Sequence, residues 1–330
     1  MSKPSLLVCR AIAPEVIARL EPHFEVRANQ ADEPWSQAQL MDALQGRQAL
    51  FATGGERIDS TLLQACPDLR ICANMSVGFN NFDVEAMTAH GVVGTNAPGV
   101  LTETTADFGF ALLLAAARRV TEGERYLRAG QWSRWQYDTL VGSDVHGSTL
   151  GILGMGRIGQ ALARRGHLGF GMQVIYHNRS RLDDSVERET GARYVSKEEL
   201  LRSADHLVLV LPYSKTSHHA IGAAELALMK PTATLVNIAR GGIVDDAALA
   251  QALRDKRIAA AGLDVYEGEP TLHPGLLEVP NVVLTPHIGS ATGPTRLAMA
   301  NLAADNLINF FCGDGPTNPV NPEVLNGLAA

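Results

Sequence analysis

Cysteine is scarce in this 330-residue chain: Cys9, Cys66, Cys72 and Cys312 are all there is. No two stand at CxxC spacing and none has a histidine companion at ligand spacing, which disfavours zinc and leaves no disulfide framework. Buried free thiols are the expectation. Long apolar runs are missing too. The longest, Phe108 to Ala117, is far shorter than a bilayer span, and Arg10 interrupts the apolar Leu6 to Cys9 segment before it could serve as a signal-peptide core. A cytoplasmic protein with no membrane partner is expected. Clustered positive charge is also absent. The net charge is −7 with Lys and Arg scattered, which argues against nucleic acid or an anionic lipid surface as a partner. No tract is of low complexity. At 46% hydrophobic and 19% charged residues the composition is that of an ordered globular protein, of a length that suits two domains.

What is there is an alternation. Leu6 to Cys9, His23 to Val26, Ala49 to Thr53, Arg70 to Asn74 and Val92 to Thr95 read as strands, separated by helical segments such as Ser60 to Ala65 and Asp83 to His90. That rhythm implies a parallel sheet with helices on both faces. It breaks near Pro98 and Gly99, after which a long helix is expected from Thr102 to Val120, with Glu103 in its first turn and Arg118 and Arg119 at its cationic end. Gly130 to Gly147 has no period and carries Trp132, Trp135 and Tyr137, which fit either core packing or an arm against another subunit.

A second series starts at Thr149. Its strands are Leu150 to Leu153, Gln173 to Tyr176, His206 to Leu211, Thr234 to Ile238, Ala259 to Leu263 and Val282 to Leu284, and its helices include Ile158 to His167, Glu225 to Met229 and Asp246 to Arg254. Thr295 to Phe311 reads as one long helix and Gly315 to Pro322 as an extended tail. The expected class is therefore α/β, with two doubly wound parallel-sheet domains. The first comprises residues 1–100 plus 295–330 and is discontinuous; the second comprises residues 101–294 and includes a dimerisation arm at 120–147.

In "LGILGMGRIGQALARRGHLGFGMQVIYHNRSR", Gly154, Gly156 and Gly159 form G-x-G-x-x-G between an apolar strand and a helical pattern. The first glycine allows a tight turn, the second lets backbone approach a pyrophosphate, and the third lets helix and strand pack closely. The pyrophosphate then meets a helix N-terminus, whose free N–H groups and dipole favour anions. Where the second strand ends, a carboxylate would bind the adenosine ribose and repel a 2′-phosphate. This chain has Asn178 there, followed by Arg179, Ser180 and Arg181. Loss of the carboxylate removes the repulsion, and two guanidinium groups with a hydroxyl suit the phosphate. NADP(H) is thus the expected cofactor, with NAD(H) second.

Three residues fall at the carboxyl ends of different strands: Arg240 in "LVNIARGG", Glu269 in "GLDVYEGEP" and His287 in "VVLTPHIGSAT". Reduction of a 2-keto acid needs a fixed cation for its carboxylate, a proton donor for the carbonyl oxygen, and a carboxylate to orient that donor. Arg240 offers a planar fork, and an imidazole such as His287 titrates near neutrality. Glu269 suits the orienting role, although Glu267 competes on spacing alone.

These segments, with "SVGFNNFDV" and "LTETTADFGFALLLAAARR", resemble the D-isomer-specific 2-hydroxyacid dehydrogenases, in particular the glyoxylate, hydroxypyruvate and 2-ketogluconate reductase branch. The resemblance covers essentially the whole chain. It implies a flavodoxin-like substrate domain and a Rossmann nucleotide domain closing on ligand at an interdomain cleft, in a homodimer. It also implies that Arg240 binds substrate, that Glu269 rather than Glu267 partners the histidine, and that His287 gives the proton. By the same likeness the backbone of Ser76, Val77 and Gly78 holds the substrate carboxylate. Thr104, Arg157, Ile158, Pro212, Ser217, Ala239, Asp264 and Gly289 match cofactor-lining positions, with Ser217 standing where relatives often carry threonine. The implied substrate is a small 2-keto acid: glyoxylate, hydroxypyruvate, 2-ketogluconate or its phosphate. A non-catalytic dinucleotide-sensing module is the alternative on the same fold. No metal is expected, because the adjacent His218 and His219 have no third ligand in sequence and neighbours on a helix do not face one point.

Overall fold

Short apolar runs make the first sheet. β1 (Ser5–Val8), β2 (Glu25–Ala28), β3 (Ala49–Ala52), β4 (Ile71–Asn74) and β5 (Val93–Thr95) pair in the order β2-β1-β3-β4-β5, every neighbour parallel. β3, β4 and β5 are buried at every position, as strands covered on both faces must be. The structure, a computed structural model, describes residues 3–328 and separates into two compact units, Met1–Leu101 with Thr292–Ala330 and Thr102–Ala291.

The C-terminal segment belongs to the first unit because its helix, Gly293–Cys312, buries Ala303, Ala304 and Leu307 in one cluster with Leu6, Phe51 and Ile71. That helix starts two residues before Thr295, since the Thr292 hydroxyl accepts the Thr295 N–H and caps it. The tail is then pinned by Asn321, whose Oδ1 accepts the Gly94 N–H at 2.8 Å and whose Nδ2 donates to the Val92 carbonyl at 2.9 Å. Cys9, Cys66 and Cys72 are buried; Cys312, expected to be buried, is exposed because it ends its helix.

The second sheet holds β6 (Thr149–Leu153), β7 (Gln173–His177), β8 (Ala192–Tyr194), β9 (His206–Leu209), β10 (Thr234–Asn237), β11 (Ala260–Leu263) and β12 (Val282–Leu284). Its order is β12-β11-β10-β9-β6-β7-β8, all parallel. Counted from β6, this is the dinucleotide-binding order extended by one strand, and the first sheet has the flavodoxin-like order. The strand order reverses between β6 and β9, so the loops leaving their carboxyl ends part there. Such switch points are where ligands collect.

The helix expected to run to Val120 stops at Ala117, because Arg119 takes φ 55°, a left-handed conformation that no helix continues through. A separate helix, Val120–Arg128, follows with none of its residues buried. Trp132, Trp135 and Tyr137 are 57%, 76% and 90% exposed, which decides against core packing for these rings. Among the described residues no helix is long and apolar enough to cross a membrane.

Candidate active site

The glycine turn follows β6. Gly154 has φ 103°, and a Cβ there would lie 2.6 Å from the Leu211 nitrogen; one on Gly159 would lie 2.5 Å from the Gly154 carbonyl oxygen. Both positions demand glycine. At Gly156 a Cβ would meet nothing within 4 Å, so open space lies in front of the N-terminus of helix Arg157–Arg164. No side chain caps that helix, and its first N–H groups, with Arg157 and Ile158 leading, remain available to an anion. These residues therefore fit a nucleotide pyrophosphate.

The Asn178 Oδ1 accepts the Met155 N–H at 2.6 Å, tying the end of β7 to the glycine turn. The amide thus shapes the turn as well as removing a charge. The two arginines differ. Arg181 donates through Nε and Nη2 to Glu187 at 2.9 and 2.6 Å and also to Asp184 at 3.0 Å. Those bonds hold the Glu187 carboxyl down at about 2. Arg179 is exposed and has no ion pair among the described residues, and Ser180 beside it is exposed.

Past β11 and β12 the chain builds a rigid corner. Asp264, 2% exposed, accepts the Ile288 N–H at 2.8 Å, the Gly289 N–H at 2.7 Å and the Thr285 hydroxyl at 2.7 Å. This network holds His287 at φ 54°, a conformation costing a β-substituted residue about 1–2 kcal/mol. Both Asp264 carboxylate oxygens are engaged in positioning the turn. The His287 Nδ1 lies 2.8 Å from Glu269 Oε2, and Glu269 Oε1 accepts the Tyr266 N–H at 2.8 Å. Spacing left Glu267 and Glu269 open; the geometry selects Glu269. The His287 side chain is 47% exposed, which leaves Nε2 to face a ligand.

Burial by itself would raise the Glu269 carboxyl. The hydrogen bonds from His287 and Tyr266 and the charges of His287 and Arg240 outweigh that effect and hold it below the usual carboxylate range. Arg240 is half-buried beyond β10; desolvation lowers its guanidinium, and the Glu269 charge opposes that. Its loop is set by Asn237, whose Nδ2 donates to the Arg240 carbonyl at 3.1 Å while Oδ1 accepts the Ala239 N–H at 3.1 Å. The next residue must be glycine, since a Cβ on Gly241 would lie 1.7 Å from the Tyr266 carbonyl oxygen. Arg240, Glu269 and His287 thus come together. Ser217 and Ala239 are buried, and the Ser217 hydroxyl is engaged within its own loop, donating to the Pro212 carbonyl at 3.0 Å and accepting the Ser214 N–H at 2.7 Å. Thr104 sits on helix Thr102–Ala117.

In the first unit, Ser76, Val77 and Gly78 follow β4. Asn74 Nδ2 donates to the Ser76 hydroxyl at 2.9 Å and the Gly78 carbonyl at 3.0 Å, and Asn96 Nδ2 donates to the Val77 carbonyl at 2.7 Å. The backbone N–H groups of all three have no protein acceptor among the described residues. Successive free N–H groups of this kind make an anion-binding concavity.

The expectation about His218 and His219 requires correction. They lie in a turn rather than a helix, with His219 at φ 49°, and their rings stack 3.9 Å apart. Glu267 stands with them as a third group, its Oε2 2.8 Å from His219 Nε2. No sequence spacing pairs residues 48 positions apart.

A sequence profile for the D-isomer specific 2-hydroxyacid dehydrogenase NAD binding domain matches residues 110–289. The glyoxylate reductase of Thermococcus onnurineus is 47% identical over 328 residues, 98% of each chain. The glyoxylate/hydroxypyruvate reductase B of Yersinia pestis is 47% identical over 324 residues, 98% of this chain and 99% of its own. Among solved structures, an NADPH-dependent glyoxylate/hydroxypyruvate reductase from Sinorhizobium meliloti, in complex with NADP and malonate, superposes with a TM-score of 0.86 at 36% identity over 97% of each chain. The chain belongs to the D-isomer specific 2-hydroxyacid dehydrogenase family and is an oxidoreductase that works with a nicotinamide dinucleotide.

Proposed function

We propose that the protein is an NADPH-preferring reductase of small 2-keto acids, with glyoxylate and hydroxypyruvate as first candidates and 2-ketogluconate or its phosphate next. The observation that carries this reading is the His287 to Glu269 hydrogen bond beside Arg240, on the sheet that also bears the glycine turn. The nicotinamide dinucleotide, when bound, supplies the hydride that the C2 carbonyl accepts. His287, with Nδ1 directed at Glu269, gives a proton from Nε2 to the carbonyl oxygen, completing the 2-hydroxy acid, which is the D isomer wherever C2 becomes a stereocentre. Arg240 polarises the same oxygen and holds the substrate carboxylate.

At the adenosine end Arg179 and Ser180 take the 2′-phosphate, while Arg181, anchored by Glu187, frames the site. Homologues named glyoxylate reductase and a structural neighbour complexed with NADP support the assignment. A homodimer in which the arm at 120–147 packs its exposed Trp132, Trp135 and Tyr137 against the second subunit, and a cytoplasmic location, belong to the same reading. A steady-state panel of 2-keto acids against NADPH and NADH tests it. Turnover of glyoxylate or hydroxypyruvate with the higher kcat/KM for NADPH is the expected result. Nucleotide binding without turnover of any 2-keto acid would favour a sensing module instead.

A further inference from the structure

The turn after β9 carries two imidazoles that the reaction does not use. Ligand atoms from His218, His219 and Glu267 all lie within 4.8 Å of one another, and all three side chains are accessible. We propose that these three residues bind a divalent transition ion of the zinc class, on the loops that also carry Ser217, Arg240 and Glu269.

The geometry is close to what such an ion needs. Bonds of 2.0–2.1 Å in a tetrahedral site set ligand atoms about 3.4 Å apart. His219 Nε2 and Glu267 Oε2 are already at 2.8 Å, and the remaining approach, up to about 1.4 Å, falls on the exposed His218, which is free to change rotamer. One of the other ring nitrogens has a hydrogen-bonded partner of the kind that orients metal-bound histidines, and the second faces a carboxylate beyond hydrogen-bond reach. His218 Nδ1 is 3.2 Å from the Tyr213 hydroxyl, and His219 Nδ1 is 4.0 Å from Asp245 Oδ2. His219 already presents Nε2 to Glu267.

Charge points the same way. The Glu267 N–H donates to Asp246 Oδ2 at 3.1 Å, the negative charges of Asp245, Asp246 and Glu267 act on one another, and the Asp245 and Glu267 carboxylates both approach the His219 ring. A dication relieves that crowding. Two nitrogens and one oxygen select zinc, nickel, cobalt or copper over magnesium or calcium, which prefer all-oxygen shells. The ion would also clamp the loops, because the His219 N–H donates to the Gly242 carbonyl at 2.7 Å, two residues beyond Arg240.

Calorimetric titration of the full chain with Zn²⁺ alone, with no nucleotide or keto acid present, is the test. One saturable event of 1:1 stoichiometry and micromolar affinity is expected. His218→Asn, His219→Asn and Glu267→Gln should each weaken it at least tenfold, and His287→Asn should leave it in place. Zinc should also raise the thermal midpoint of the wild type and shift each of the three variants less, relative to that variant's own metal-free midpoint, so a variant's lower stability cannot mimic the result. Absence of saturable binding, affinity untouched by all three changes, or loss of the event in His287→Asn would overturn the proposal. The last outcome would place the ion on the His287 and Glu269 pair.

Discussion

Two histidine–glutamate pairs, His287 with Glu269 and His219 with Glu267, share one unit and one contact length of 2.8 Å. Their surroundings differ. Glu269 takes a second hydrogen bond from the Tyr266 backbone and faces the half-buried Arg240, while the Asp264 network locks the turn that carries His287. Glu267 is 46% exposed and shares its neighbourhood with Asp245 and Asp246. A fixed cation makes the first pair a place for an anionic substrate and a proton. A surplus of carboxylates makes the second a place for a cation. The imidazole–carboxylate bond alone therefore assigns no chemistry; the charge beside it does.

That contrast can be broken by substitution. His287→Asn or Arg240→Ala should lower kcat/KM for the preferred 2-keto acid by about 10²–10⁴-fold with nucleotide affinity retained. Equal activity to wild type would remove the residue from the mechanism. Glu269→Gln should follow closely, and the same change at Glu267 should cost at least tenfold less, measured without added metal; reversed sizes would exchange the roles of the two glutamates.

At the adenosine end Arg179→Ala should raise the KM for NADPH by roughly tenfold or more, the equivalent of one charged hydrogen bond, and leave that for NADH near its starting value. Arg181→Ala should act more weakly on NADPH, since its guanidinium is held by Glu187 and Asp184. Identical changes with both cofactors would mean that neither arginine reads the phosphate.

The smallest effect concerns a histidine with no carboxylate hydrogen-bonded to its ring. His206 is buried, its Nε2 meets the Asp144 carbonyl at 3.1 Å, and burial depresses its pKa from the ordinary 6.5. A group that protonates less readily when folded favours unfolding as pH falls below its unfolded value. Denaturant midpoints should therefore drop on acidification through pH 6.5, and less steeply in His206→Gln. Parallel profiles for the two proteins would refute that role.

Much was legible in one dimension because its signals are local. Apolar runs between helical patterns marked both sheets, and Gly154, Gly156 and Gly159 stand within six residues of one strand end. Arg240, Glu269 and His287 were legible as candidates because parallel strands bring all their carboxyl ends to one edge. Helix Val120–Arg128 was not: it is short, it opens on the poor helix formers Val120, Thr121 and Gly123, and none of its residues is buried.

Sequence alone thus determined the α/β class, the glycine turn and the set of candidate reacting groups, for these follow from short-range periodicity and residue type. Tertiary structure decided which glutamate meets which histidine, which arginine is already engaged, and that Glu267 stands beside two adjacent histidines. Those are questions of direction across tens of residues, and a side chain's direction is settled only when the backbone beneath it is packed.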